Sequence, residues 1–117
     1  MPGQAGGGGE SRNILYRAFI TQGGVLPPEP SGEVVSQLDN PVFTRANAGI
    51  YLLTVDTPAF VDGRTKITLT SMFFALYATG TFQSTTVILI SAVDLTVGGA
   101  ATSDDILQAF LEIELLT

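Results

Sequence analysis

Apolar residues recur in this chain in short runs at strand spacing, and glycine, proline, asparagine and aspartate separate the runs. The clearest run is 64–71, where Ile67 and Leu69 lie on one face of an extended chain and Lys66 and Thr68 lie on the other. Alternation of this kind is typical of a β-strand that has one face on a core and one face in water. No segment shows a helical period longer than two turns. The sequence therefore predicts an all-β chain.

Seven or eight short strands are expected, with turns between them at the spacing of a sandwich or a small barrel. The fold class that follows is an antiparallel β-sandwich, jelly-roll-like, with residues 13–117 as a single domain. The predicted strands are 13–22, 33–38, 42–45, 50–56, 64–71, 73–79, 85–94 and 111–116.

Several connections also carry local signals. Prolines between residues 27 and 30 predict an extended, irregular connection. Gly80 is predicted to begin a turn, and residues 73–79 allow one helical turn as well as a strand. Ser103, Asp104 and Asp105 are expected to cap one turn of helix.

Composition suggests that part of the surface is covered by partners. Charged residues make up 14% of the 117 residues, whereas apolar residues make up 45%, and an average soluble domain has roughly 25% charged residues. We therefore expect association with copies of the chain or with other proteins, although a monomer with a threonine- and glycine-rich surface is the alternative. The net charge of −6 disfavours nucleic acid and anionic membranes as partners. The longest apolar runs are also far shorter than the ~20 residues of a membrane-spanning helix.

The chain has no histidine, cysteine or tryptophan, which excludes most catalytic and metal-binding side-chain sets. Serine–histidine, cysteine–histidine and ordinary zinc sites are impossible. The remaining catalytic candidates are the carboxylate pairs Asp104 with Asp105 and Glu112 with Glu114, which we interpret as turn residues and as the polar face of a strand. Asp94 lies across a loop from Asp104 and Asp105, so calcium is an open alternative to a solvated acidic loop. We expect no enzymatic activity, no cofactor and no metal.

Residues 1–12 form a glycine-rich leader that is predicted to be a flexible N-terminal arm. It has neither the apolar core nor the basic cluster of a signal peptide. A disordered tail and an arm that attaches the domain to a partner are both consistent with this composition. The residues expected in an attachment arm are Gly3, Gly6, Gly7, Gly8, Gly9 and Arg12.

Most aromatic residues lie within predicted strands, where core packing is the ordinary interpretation. Phe60, Tyr77 and Phe82 lie near loops or strand ends instead. These three are the candidate contacts with another copy or another protein.

The segment NILYRAFITQGG…PPEP, residues 13–30, resembles the opening strand of small proteins encoded in phage structural gene clusters. Residues 40–67, NPVFTRANAGIYLLTVDTPAFVDGRTKI, are similar to their central segment, and residues 103–116, SDDILQAFLEIELL, are similar to their closing strand. The three segments occur in the same order over about 100 residues.

The resemblance implies a non-enzymatic virion component, such as a head fibre, a capsid-decoration protein or a tail-associated module. Proteins of this kind are often homotrimers that attach through an N-terminal segment, which implies a location on the capsid or tail surface and contact with the major capsid protein or another virion protein. The alternative function is a glycan-binding or adhesive module that uses loop residues such as Asn47, Asp62 and Tyr77, with a host glycan as its ligand.

Overall fold

The computed structural model describes residues 12–72, 76–96 and 101–116, without the side chains of Glu33 and Val34. Within these ranges the chain forms nine β-strands and no helix, so no described helix could cross a membrane. The strands are β1 (Asn13–Thr21), β2 (Glu29–Ser36), β3 (Val42–Asn47), β4 (Ile50–Thr54), β5 (Thr65–Ser71), β6 (Leu76–Ser84), β7 (Val87–Asp94), β8 (Ala101–Thr102) and β9 (Gln108–Leu115).

The strands form two antiparallel sheets that pack face to face. Sheet I has the order β2-β1-β9-β5. Sheet II has the order β3-β4-β7-β6, and the two-residue strand β8 pairs with the end of β7. The predicted all-β antiparallel sandwich is confirmed. The two tight hairpins, β3–β4 and β6–β7, and the longer β1–β2 connection each remain within one sheet.

The core lies between the two sheets and takes alternate residues from each strand, as the pleat of a β-strand requires. Tyr16 and Phe43 meet across it with ring centroids 6.2 Å apart in an edge-to-face arrangement. The largest fully buried side chains are Tyr16, Tyr51, Phe60, Ile20, Leu53, Ile88, Ile90, Leu107, Leu111 and Ile113.

The predicted turn at Gly80 is wrong, because Gly80 lies in the middle of β6. The turn of this hairpin is at Thr85 and Thr86 instead. Gly80 has a packing role: a Cβ at this position would lie 2.2 Å from Cγ2 of Ile67 in sheet I. The glycine therefore lets the neighbouring edges of the two sheets approach each other.

Two other local predictions also need correction. Pro30 lies inside β2 rather than in an irregular connection, and it is tolerated because β2 is an edge strand that does not need every backbone N–H. Residues 103–107 form a bend and not a turn of helix, because Asp105 has a φ of 70° and the carboxylates of Asp104 and Asp105 bond elsewhere. The segment predicted at 73–79 is a strand from Leu76 onward, and residues 73–75 lie outside the described ranges.

Candidate interaction surfaces

The outer face of sheet II carries no charged side chain among its described residues. Along β4 and β7, half-buried residues alternate with core residues, so the half-buried side chains point away from the core. We call the following twelve residues the sheet II face: Val42, Thr44, Ile50, Leu52, Thr54, Tyr77, Thr79, Thr81, Val87, Leu89, Ser91 and Val93.

The strand register places apolar residues at the centre of this face and hydroxyl groups at its sides. Leu52 of β4 lies directly opposite Leu89 of β7. Thr44 continues this row on one side and Thr81 continues it on the other. An apolar centre within a polar, uncharged rim is the usual composition of a protein–protein interface.

The outer face of sheet I is charged, in contrast to the sheet II face. Arg17 lies opposite Glu112 in the strand register, and its Nη2 is 2.7 Å from Oε2 of that carboxylate. Lys66 lies opposite Glu114 in the same way. Opposite charges directly across neighbouring strands stabilise a sheet whose face is in contact with water.

Arg12, the first described residue, is bound to this charged face. Its Nη2 donates hydrogen bonds to Oε1 of Glu112 at 2.6 Å and to Oε1 of Glu114 at 2.7 Å. These bonds hold the pKa of both carboxyls below its ordinary value, with the Arg17 guanidinium adding to the effect at Glu112. Arg12 of the predicted attachment arm therefore lies on sheet I, whereas Gly3, Gly6, Gly7, Gly8 and Gly9 lie outside the described residues.

A shallow groove of about 280 Å³ runs over the other end of the sheet I face. Phe110 and Met72 form its apolar part, and both are substantially exposed. The ring of Phe110 lies beside that of Phe19, with centroids 6.2 Å apart. Thr70 and Glu112 provide polar groups to the same groove.

A polar junction around Asp104 joins the two sheets at one end of the sandwich. Arg45 of β3 donates to Asp104 through Nε at 3.0 Å and through Nη2 at 2.7 Å. The Tyr51 hydroxyl lies 2.7 Å from Oδ1 of Asp104 and 2.8 Å from Oε1 of Gln22, and its single proton goes to the charged acceptor. Gly49 adds a backbone N–H at 3.1 Å. The carboxylate of Asp104 thus fixes two strands of sheet II to the 103–107 bend.

Electrostatics of the junction favour an ionised Asp104. The Arg45 guanidinium chiefly holds the pKa of Asp104 far below its ordinary value, and the bonds from Tyr51 and Gly49 act in the same direction. Burial raises the pKa of Tyr51, and the nearby carboxylate raises it further. A neutral phenol that donates to a carboxylate is therefore the stable form.

Gly49 fits this junction because no larger residue could take its place. Its φ is 71°, in the left-handed region, and a Cβ would lie 2.4 Å from the backbone nitrogen of Ser103. The chain thus passes close beside the strand β8 that leads to Asp104.

The acidic residues proposed for catalysis or calcium binding are mostly engaged with other partners. Asp105 accepts a hydrogen bond from the backbone N–H of Gly24, and Asp94 accepts two from Thr96. Within the described residues, no group of three acidic side chains is arranged to hold a metal ion. A solvated acidic loop predicts an exposed Asp104, but Arg45 and Tyr51 cover most of its side chain.

The three aromatic residues predicted as partner contacts lie in different environments. Phe60 is 1% exposed and belongs to the core, so its prediction as a surface contact is wrong. Its loop folds inward because the backbone N–H groups of Ala59 and Phe60 both bond to the carbonyl of Thr85. Phe82 is half-buried against the core, whereas Tyr77 is 57% exposed on the sheet II face.

Asp62 and Tyr77, two of the loop residues proposed for glycan binding, are not brought together. The loop of Asp62 lies beside Thr85, at the start of β7, through the hydrogen bonds of Ala59 and Phe60. Tyr77 lies opposite Val93, near the other end of β7. Six residues of extended strand separate these positions by about 20 Å.

Comparison of the chain with known protein families, curated proteins and solved structures found no match.

Proposed function

We propose that this chain is a non-enzymatic structural component of a virion, of the capsid-decoration or head-fibre kind. In this proposal the β-sandwich associates with copies of itself, and the segment before Asn13 attaches it to the capsid or to another virion protein. The virion setting comes from the three segments that resemble phage structural proteins.

One structural observation supports the assembly role above all others, namely the uncharged sheet II face. Ile50, Leu52, Val87 and Leu89 place apolar side chains on the outside of a small sandwich. Burial of such surface contributes roughly 25 cal/mol for each Å² removed from water. A sheet that is covered on both faces is expected to be apolar on both faces.

The position of Arg12 supports the attachment role. Its bonds to Glu112 and Glu114 fix the point at which the leader meets the body, on the charged face and away from the sheet II face. In this proposal, attachment begins from the side of the sandwich that holds Arg12, and self-association uses the opposite side. Attachment and assembly can then proceed without competing for one surface.

Mass spectrometry of purified particles from the virus that encodes the chain tests this function. We expect the tryptic peptides 18–45 and 46–64 to be present at a fixed ratio to the major capsid protein. Deletion of residues 2–11 is expected to remove the chain from particles while leaving the β-sheet circular dichroism spectrum intact. A chain that is abundant in infected cells but absent from purified particles would contradict the proposal.

A further inference from the structure

We propose that two copies of this chain pair with their sheet II faces against each other, around a two-fold axis. This inference rests on the self-association in the proposed function and names the surface and symmetry that would produce it. It differs from the homotrimer that the resemblance implies.

Charge distribution favours a second copy as the occupant of the sheet II face. Each copy carries a net charge of −6, so two copies repel each other over most of their surfaces. The sheet II face has no charged residue among its twelve positions, and its centre consists of Leu52 and Leu89. It is therefore a broad surface on which two such chains can meet without opposing like charges and can bury apolar area.

The contrast between the two faces determines the symmetry. A head-to-tail contact would place the sheet II face of one copy on the sheet I face of the next. That contact would bury Arg17 and Glu112 against leucine and valine, and taking ionised groups out of water is unfavourable. Contact between two sheet II faces buries uncharged groups on both sides. A surface that binds its own equivalent gives a two-fold axis, whereas a three-fold ring needs two different surfaces on each copy.

The size of the face is adequate for a dimer. Four strands about 4.8 Å apart, with about seven residues each at about 3.3 Å per residue, give a flat footprint of roughly 450 Å². The accessible area is larger than this footprint because the side chains protrude. A standard interface buries roughly 600–1,000 Å² per partner, so the paired faces reach at most the lower end of that range and the dimer should be weak and depend on concentration.

Three of the four sheet edges give few opportunities for growth into larger rings. The β5 and β6 edges lie against each other through Ile67 and Gly80. The β2 edge contains Pro30, which has no N–H to donate to another strand. Face-to-face pairing through sheet II uses none of these three edges.

Sedimentation of the full chain, at concentrations up to the solubility limit, tests the inference. We expect wild type to approach twice the chain mass of 12.3 kDa. Thr81→Arg places a charge in the row of Leu89, and Thr70→Arg places the same charge on the exposed outer side of sheet I. Both threonines are exposed strand residues, so the pair is a matched comparison. Thr81→Arg should weaken dimerisation at least tenfold, and Thr70→Arg should leave it unchanged.

Leu89→Arg is a stronger version of the same change, and circular dichroism reports whether it folds. A folded Leu89→Arg that is monomeric supports the proposal, and if that variant does not fold, Thr81→Arg decides the outcome. A trimeric mass, a wild type that stays monomeric throughout, or dimerisation that Thr81→Arg does not weaken would each overturn the two-fold pairing. The particle experiment above is independent of these results, since a chain that is present in particles but trimeric would refute only the inference.

Discussion

Gly80 in sheet II lies so close to Ile67 in sheet I that a Cβ on the glycine would be 2.2 Å from Cγ2 of the isoleucine. This contact joins the two sheets along the β5–β6 side. Gly80→Ala should therefore destabilise the fold by about 1–3 kcal/mol, because the added methyl group forces strand β6 or Ile67 to shift. Chemical denaturation measures the effect.

Ile67→Ala provides the control for this contact. It removes Cγ2, so Gly80→Ala should have a smaller effect in that background than in wild type. Equal effects in both backgrounds would show that the Ile67 contact is not the cause.

Tyr51→Phe tests the polar junction without changing the volume of the core. It removes the hydroxyl that donates to Asp104 and leaves the carboxylate with one donor fewer. We expect a loss of about 1–2 kcal/mol in the free energy of unfolding, since a partly buried hydrogen bond is removed and its acceptor remains. Tyr77→Phe is the matched control, because Tyr77 is exposed, and it should change stability by less than about 0.5 kcal/mol. Similar effects of the two changes would contradict the role of the junction.

The junction should also make the fold sensitive to acid. The pKa of Asp104 is lowered in the folded chain, chiefly by Arg45, so the folded state favours the ionised form. A lowered folded pKa adds stability above the unfolded value of roughly 3.9, and this stability is lost as the pH falls toward the folded value. We expect the free energy of unfolding to decrease below about pH 4, and to decrease less steeply in Asp104→Asn.

Urea denaturation at a series of pH values measures this dependence. Asp62→Asn removes an exposed turn carboxylate outside the junction and should keep the wild-type pH profile. If Asp104→Asn also kept the wild-type profile, the junction would not be the source of acid sensitivity.

Arg12→Gln should change the pKa values of the two carboxylates that Arg12 binds by different amounts. Arg12 is the largest cause of the lowered pKa of Glu114, whereas Glu112 also accepts bonds from Arg17. The pKa of Glu114 should therefore rise more than that of Glu112. Side-chain carboxyl NMR titration measures both values.

Arg64→Gln is the matched control for Arg12→Gln, because Arg64 donates to the carbonyl of Leu116 and not to either glutamate. It should leave both titrations unchanged. A larger rise at Glu112 than at Glu114 in Arg12→Gln would contradict the described geometry.

Local sequence patterns were sufficient to predict the fold class and most strands. Alternation in 64–71 predicted β5 with its exposed face, and the predicted strands 50–56 and 85–94 correspond to β4 and β7. Predictions of strand boundaries were wrong where tertiary packing decides the boundary. Gly80 resembles a turn residue in sequence, and only the neighbouring Ile67 explains why a strand passes through it.

The candidate surfaces were less predictable because they depend on residues far apart in the chain. Asp104 binds Tyr51 and Arg45 across 53 and 59 positions, and Arg12 binds Glu112 across 100. Pairings at such separations follow from the order of strands in the sheets, which periodicity does not reveal. The prediction that Phe60 contacts a partner was wrong for a similar reason, because hydrogen bonds to the carbonyl of Thr85 hold its loop inward.

The pairing of Asn13 with Leu115 places the two ends of the folded body on neighbouring strands. A few linking residues would be enough to join them, and the exposed turn at Asp62 and Gly63 offers a place to reopen the chain. The sandwich is therefore suited to circular permutation, which would keep its free ends at this same pole, beside the start of β5, and leave both sheets continuous.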